Sequence, residues 1–203
     1  MQPSKHIDSD LFIATVKPAL SDHDADALAA IVKQNWTIEQ LCHLMSDGSA
    51  DARKVVCLTL GLVGCDGCLA CLAHALHDDD KVVSELAEHA MWSIWFRSGA
   101  AEAMPHFAEA LEAMDQHQYD DAIDALTRAI DIDPTFTEAF NQRGIAHYMI
   151  EQFDEALNDC KAALDICPLH FGSLAGLGHC YAHLGCLPKA ANAYRDALAV
   201  NPR

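Results

Sequence analysis

Apolar residues along this chain recur at intervals of three and four, and no stretch alternates apolar with polar in the manner of a strand. That is the period of helix faces, and it predicts an all-α protein. Ala27, Leu28, Ile31 and Val32 mark one such face, which predicts a helix within residues 22–35. Residues 1–10 lack the pattern and are expected to fray. No apolar run approaches the roughly 20 residues that span a bilayer. The opening Met1-Gln2-Pro3-Ser4-Lys5-His6 lacks the basic-then-apolar order of a secretion signal. A cytoplasmic location is the expectation.

The helical pattern repeats. Pro134, Pro168 and Pro202 are 34 residues apart, as are Ala122, Ala156 and Ala190, and Ala129, Ala163 and Ala197. Gly144 and Gly178 keep the same interval. Each recurring type has a task. Glycine and alanine let two helices approach closely, large residues fill the space between them, and proline cannot continue a helix. Asp120-Asp121 and Asp154-Glu155 suit helix N-termini. Units over about 103–136, 137–170 and 171–203 follow, the first with a degenerate leading helix at His106, Glu109, Ala110 and Ala113.

The 34-residue interval with these residue types resembles the tetratricopeptide repeat, a helical hairpin that stacks into a solenoid. The resemblance implies a concave groove lined by the first helix of each unit. In the first unit the lining positions are Met104, Phe107, Leu111 and Met114. In the second they are Glu138, Asn141, Ile145 and Tyr148. In the third they are Gly172, Ala175, His179 and Ala182, with His183 beside them. Glu138, Asn141, Ile145, Tyr148, His179 and His183 are therefore the candidate partner-binding residues, and a peptide or helix is the expected partner. Chaperone-binding members clamp a carboxylate with Lys, Asn and Arg. Asn141 matches one such asparagine, but the groove positions lack the lysines, so that ligand is not expected.

A second period, of 31, runs through the first half. Leu41, Met45, Asp47, Val56 and Leu60 are matched by Leu72, Leu76, Asp78, Ala87 and Met91. With the acidic turns Ser46-Asp47-Gly48 and His77-Asp78-Asp79-Asp80, this resembles short HEAT repeats, two of them over about residues 37–98. The segments Ala87–Arg97 and Pro168–Gly178 give the chain a likeness to bacterial proteins that join HEAT-like and tetratricopeptide units and have no settled activity. The expected fold is a right-handed α–α superhelix, with a HEAT-like region at 1–99 and three tetratricopeptide units at 100–203. Trp92, Trp95 and Phe96 precede the junction, so one continuous superhelix is expected rather than two tumbling domains.

Charge narrows the partners. The formal net charge is −17; residues 1–100 carry 7 basic and 14 acidic side chains, and residues 101–203 carry 6 and 16. Nucleic acid and anionic membranes draw affinity from Lys and Arg, so neither is an expected partner. The last unit has no additional polar helix after it, which leaves room for a homo-oligomer. The nine cysteines suit buried free thiols better than disulfides. Cys65, Cys68, Cys71 and His74, with His77 nearby, form an alternative reading as a metal site, because thiolate and imidazole bind zinc. The objection is that steps of three residues carry ligands around a helix. Glu88-His89 has no second copy at the repeat interval, where Cys57 and Leu58 stand, which argues against a di-iron centre. No catalytic motif is present, so no enzyme activity and no cofactor are expected.

Overall fold

The computed structural model describes residues 7–203. Among them the regular structure is all helical: α1 (Ser9–Ser21), α2 (Ala25–Asn35), α3 (Ile38–Asp47), α4 (Ala50–Val63), a 3₁₀ turn (Asp66–Cys68), α5 (Leu69–Ala75), α6 (Lys81–Phe96), α7 (Met104–Asp115), α8 (Tyr119–Ile132), α9 (Thr137–Met149), α10 (Phe153–Ile166), α11 (Phe171–His183) and α12 (Leu187–Val200). The chain divides into two compact units, one ending at Ile94 and one beginning at Trp95.

In the first unit, part of the expected frayed terminus is ordered. Residues 1–6 lie outside the described residues, but Ile7 is buried. The Asp8 carboxylate accepts the Leu11 N–H at 2.8 Å and caps α1. Phe12, Val16 and Ala19 give α1 its buried stripe. Three apolar positions, two ahead of an internal Pro18 and one just after it, make a faint periodic signal. The helix expected within 22–35 is α2, with Leu28 and Val32 buried. A reciprocal capping box starts α3: Gln40 N–H donates to Thr37 Oγ1 at 3.2 Å and Thr37 N–H to Gln40 Oε1 at 2.9 Å.

The acidic turn at 78–80 is fixed by two cations of α4. Arg53 Nε and Nη2 donate to the two Asp78 oxygens at 2.7 and 2.9 Å, while Nη1 donates to Gly48 O at 2.9 Å. Lys54 Nζ lies 2.8 Å from Asp80 Oδ2. The Arg53 guanidinium holds the Asp78 carboxyl below the usual carboxylate range.

The second unit stacks three 34-residue hairpins, α7/α8, α9/α10 and α11/α12. The degenerate first hairpin folds like the others because Phe107 and Ala110 of α7 bury against Ala125, Leu126 and Ala129 of α8. Close approach explains the repeated glycines. A Cβ at Gly178 would stand 2.5 Å from Tyr194 Cε1, and one at Gly144 would stand 3.3 Å from Asp159 Cβ and 3.4 Å from Ala156 O. The prolines follow α8, α10 and α12 directly, where no further helical N–H is required.

The turns inside the hairpins also keep register. His117, Glu151 and Gly185 all have positive φ, at 59°, 64° and 72°. After each, an N–H reaches back to close the helix: Gln118 to Ala113 O at 2.9 Å, Gln152 to His147 O at 2.9 Å, and Cys186 to Tyr181 O at 2.8 Å. This is the left-handed helix ending that glycine adopts without steric cost. Arg143 of α9 ties three helices together. Its Nε and Nη2 donate to Asp159 of α10 at 3.0 and 2.7 Å, and its Nη1 donates to Thr127 Oγ1 of α8 at 3.0 Å.

Candidate functional site

The six candidate partner-binding residues separate into two groups. Glu138 and Asn141 are buried, at 0% and 3% exposure, so an incoming peptide does not reach them. They belong to a polar cluster joining the N-terminal ends of α9 and α11. Glu138 Oε1 accepts from Asn141 Nδ2 at 3.1 Å and from Gln142 Nε2 at 2.6 Å. Glu138 Oε2 lies 2.9 Å from His170 Nε2. Ser173 N–H donates to His170 Nδ1 at 3.1 Å, and Ser173 Oγ donates to Asn141 Oδ1 at 3.0 Å. Because Nδ1 accepts the backbone proton, Nε2 carries the proton that faces the carboxylate. Three donors converge on one buried carboxylate, and these bonds offset its desolvation. Trp95 closes the cluster, its ring centroid 4.2 Å from that of His170 and 5.1 Å from that of Phe171.

Ser173, His170 and Glu138 stand in hydrogen-bonded sequence, as in a hydrolase triad, with Ser173 Oγ 2.9 Å from His170 Nδ1. The resemblance stops at geometry. Ser173 and His170 are both at 0% exposure, the hydroxyl proton points at Asn141, and no substrate carbonyl can approach. The cluster works as a latch between hairpins.

The first-unit groove positions are also largely internal. Phe107 is core, at 1% exposure. Met104 and Leu111 pack partly buried on the same cluster, together with Phe96. The Phe96 and Phe107 rings are 5.8 Å apart. The apolar end of the expected groove is therefore filled by the protein itself.

The second group remains accessible. Ile145 is 40% exposed, His179 and His183 are exposed, and Tyr148 is half-buried. The structure brings the rings together and adds two that the sequence reading missed, Phe153 and Tyr194. Phe153 stacks on His183 at 4.7 Å, Tyr148 meets His183 edge-on at 5.2 Å, and Tyr148 and Phe153 are 5.5 Å apart. The Tyr194 hydroxyl lies 2.9 Å from His179 Nδ1. A signal for Phe153 was present: it keeps the 34-residue register with Tyr119, another aromatic. Gly172, Ala175 and Ala182 are half-buried small residues on α11.

The alternative metal reading is corrected. Among the described residues, no group of three or more His, Cys, Asp or Glu side chains is arranged to hold a metal ion. Cys65 and His74 are exposed, Cys68 is fully buried, and Cys71 turns its thiol to Cys68 O at 3.2 Å. The Cys68 thiol is hydrogen-bonded to Cys42, a residue outside the expected set. That bond and then burial raise its pKa. His74 and His77 instead border a small cleft of about 260 Å³ with Arg53 and Asp78.

Comparison with known proteins agrees with the 34-residue register. The tetratricopeptide repeat family profile matches residues 107–171. The small glutamine-rich tetratricopeptide repeat-containing protein 2 of Mycosarcoma maydis is 34% identical over 95 residues, which are 47% of this chain and 27% of that protein. A TPR repeat-containing protein of Rhizobium etli is 26% identical over 108 residues, 53% of each chain. This chain thus spans about a quarter to a half of the length of these relatives. Among solved structures, the first tetratricopeptide domain of Spaghetti, bound to an HSP90 peptide, has a TM-score of 0.50 and 24% identity over 52% of this chain and 84% of that one. It shares the fold. No helix among the described residues is long and apolar enough to cross a membrane.

Proposed function

We propose that this tetratricopeptide-repeat protein is a non-catalytic scaffold that holds a peptide segment of another protein on the exposed face of α9 and α11. The observation that carries the reading is the ring surface itself. Tyr148, His179 and His183 sit together at adjacent hairpins with Ile145 beside them; His179, His183 and Ile145 are exposed and Tyr148 is half-buried. Aromatic and imidazole groups offer an apolar body with a polar tip, which suits peptide recognition. Glu138 and Asn141 are assigned a supporting role: they fix the spacing of α9 and α11, and so the geometry of that face. The same helical hairpin fold holds a peptide in the Spaghetti structure.

The helices α3 to α6 are assigned as two HEAT-like hairpins, on the 31-residue period and the Arg53–Asp78 tie between units. A cytoplasmic location is proposed with it, because nine cysteines, an odd number, do not suit a disulfide framework of the kind found in exported proteins.

Site-specific photo-crosslinking tests the binding face. A benzoylphenylalanine at Ile145 is expected to capture a discrete partner in cells. The same probe at Asn158, exposed on α10, is expected to capture it poorly. Equal capture from both positions would argue against a dedicated face.

A further inference from the structure

Resting on that reading, we infer that the ring patch around Tyr148, Phe153 and His183 takes a cationic segment, and specifically an arginine side chain. The patch joins two features that together suit a guanidinium. One is a group of accessible rings in edge and stacked contact, 4.7 to 5.5 Å between centroids. Aromatic faces attract cations, and the planar guanidinium also stacks on them.

The other feature is local charge. Residues 144–160 and 171–188 contain no Lys or Arg. Glu151, Asp154 and Glu155 flank Phe153 in sequence, and all three are exposed. The N-terminus of α10 supplies only about half a positive charge against them. The remaining acid in the segment, Asp159, is neutralised by Arg143.

Rings nearby show what the patch lacks. Phe140 carries the Arg143 guanidinium at 5.6 Å and Tyr181 carries the Lys189 ammonium at 5.4 Å, each a cation of the chain's own. Tyr148 and Phe153 have the same kind of ring with acids beside them and no Lys or Arg in their own segments. A cation from a partner completes the arrangement. The assignment also separates this surface from a carboxylate-binding groove, which needs lysines that α9 and α11 do not have.

The test is selection of random dodecapeptides displayed on phage against the full chain. Bound phage are sorted by loss of binding to the Tyr148→Ala, His183→Ala variant, checked as folded by circular dichroism. Patch-dependent peptides are expected to be enriched in Arg. Synthetic copies are expected to bind the Glu151→Lys, Asp154→Lys variant about tenfold more weakly, as loss of charge complementarity requires. That second variant changes only exposed residues and keeps the rings. Patch-dependent peptides without Arg, or Arg peptides indifferent to the charge reversal, would overturn the arginine assignment and leave peptide binding standing. Peptides that bind the patch variant as well as the wild type would overturn both.

Discussion

Glu138 illustrates how far one residue can be read from sequence. The 34-residue register places it at a groove position, and a charged side chain there reads as a contact for a partner. The structure buries it completely because His170, 32 residues away, supplies a proton and Trp95 supplies a lid. Register gives the position, but burial depends on what the neighbouring hairpin and the end of α6 bring to it. Asn141 differs from the expectation for the same reason. Removing one partner of a buried, hydrogen-bonded charge leaves the others unsatisfied. Glu138→Ala is therefore expected to cost about 1–3 kcal/mol of unfolding free energy for each buried donor left without its acceptor, measured by urea denaturation. A loss below about 1 kcal/mol would mean that the latch is not a stabilising element.

Among the elements, the helices of the second unit were legible because the repeat constrains several positions: small residues at the crossings, acids at the start of α8 and α10, and a proline after α8, α10 and α12. The helix α1 was not, since its stripe is short and holds a proline. The cysteine-rich segment misled in the opposite direction. Its three-residue spacing looks like a ligand set, yet among the described residues no group of three or more His, Cys, Asp or Glu side chains is arranged to hold a metal ion. The hairpin turns offer a sharper test of the repeat. His117, Glu151 and Gly185 share one left-handed backbone conformation, which costs a side chain bearing Cβ roughly 1–2 kcal/mol. Gly185→Ala is accordingly expected to lose about 1 kcal/mol and Glu151→Gly to gain a few tenths or more. Thermal unfolding of the pair measures both. A neutral Gly185→Ala would contradict the shared turn.

For the molecule as a whole, the distribution of the acidic charge matters as well as its sum. Basic residues in the second unit are largely engaged within it: Arg128 with Glu109, Arg143 with Asp159, Lys189 over Tyr181. The α9 and α11 face thus presents rings, and the exposed acids lie at the turn and start of α10. The groove expected from the repeats spans three hairpins. The structure narrows its accessible part to the surface shared by the second and third, because the first is filled by the protein's own aromatic side chains. Partner identity is not written in the repeat pattern, since that pattern encodes hairpin packing and leaves the exposed positions free to vary. The most direct measurement is quantitative affinity capture with the wild type and an Ile145→Glu, His183→Ala variant. Both positions are exposed, so the variant is expected to keep its circular dichroism spectrum and melting temperature. The account predicts that it loses most of the partner recovered by the wild type. Full recovery by the folded variant would contradict the claim that this face is where the protein holds its partner.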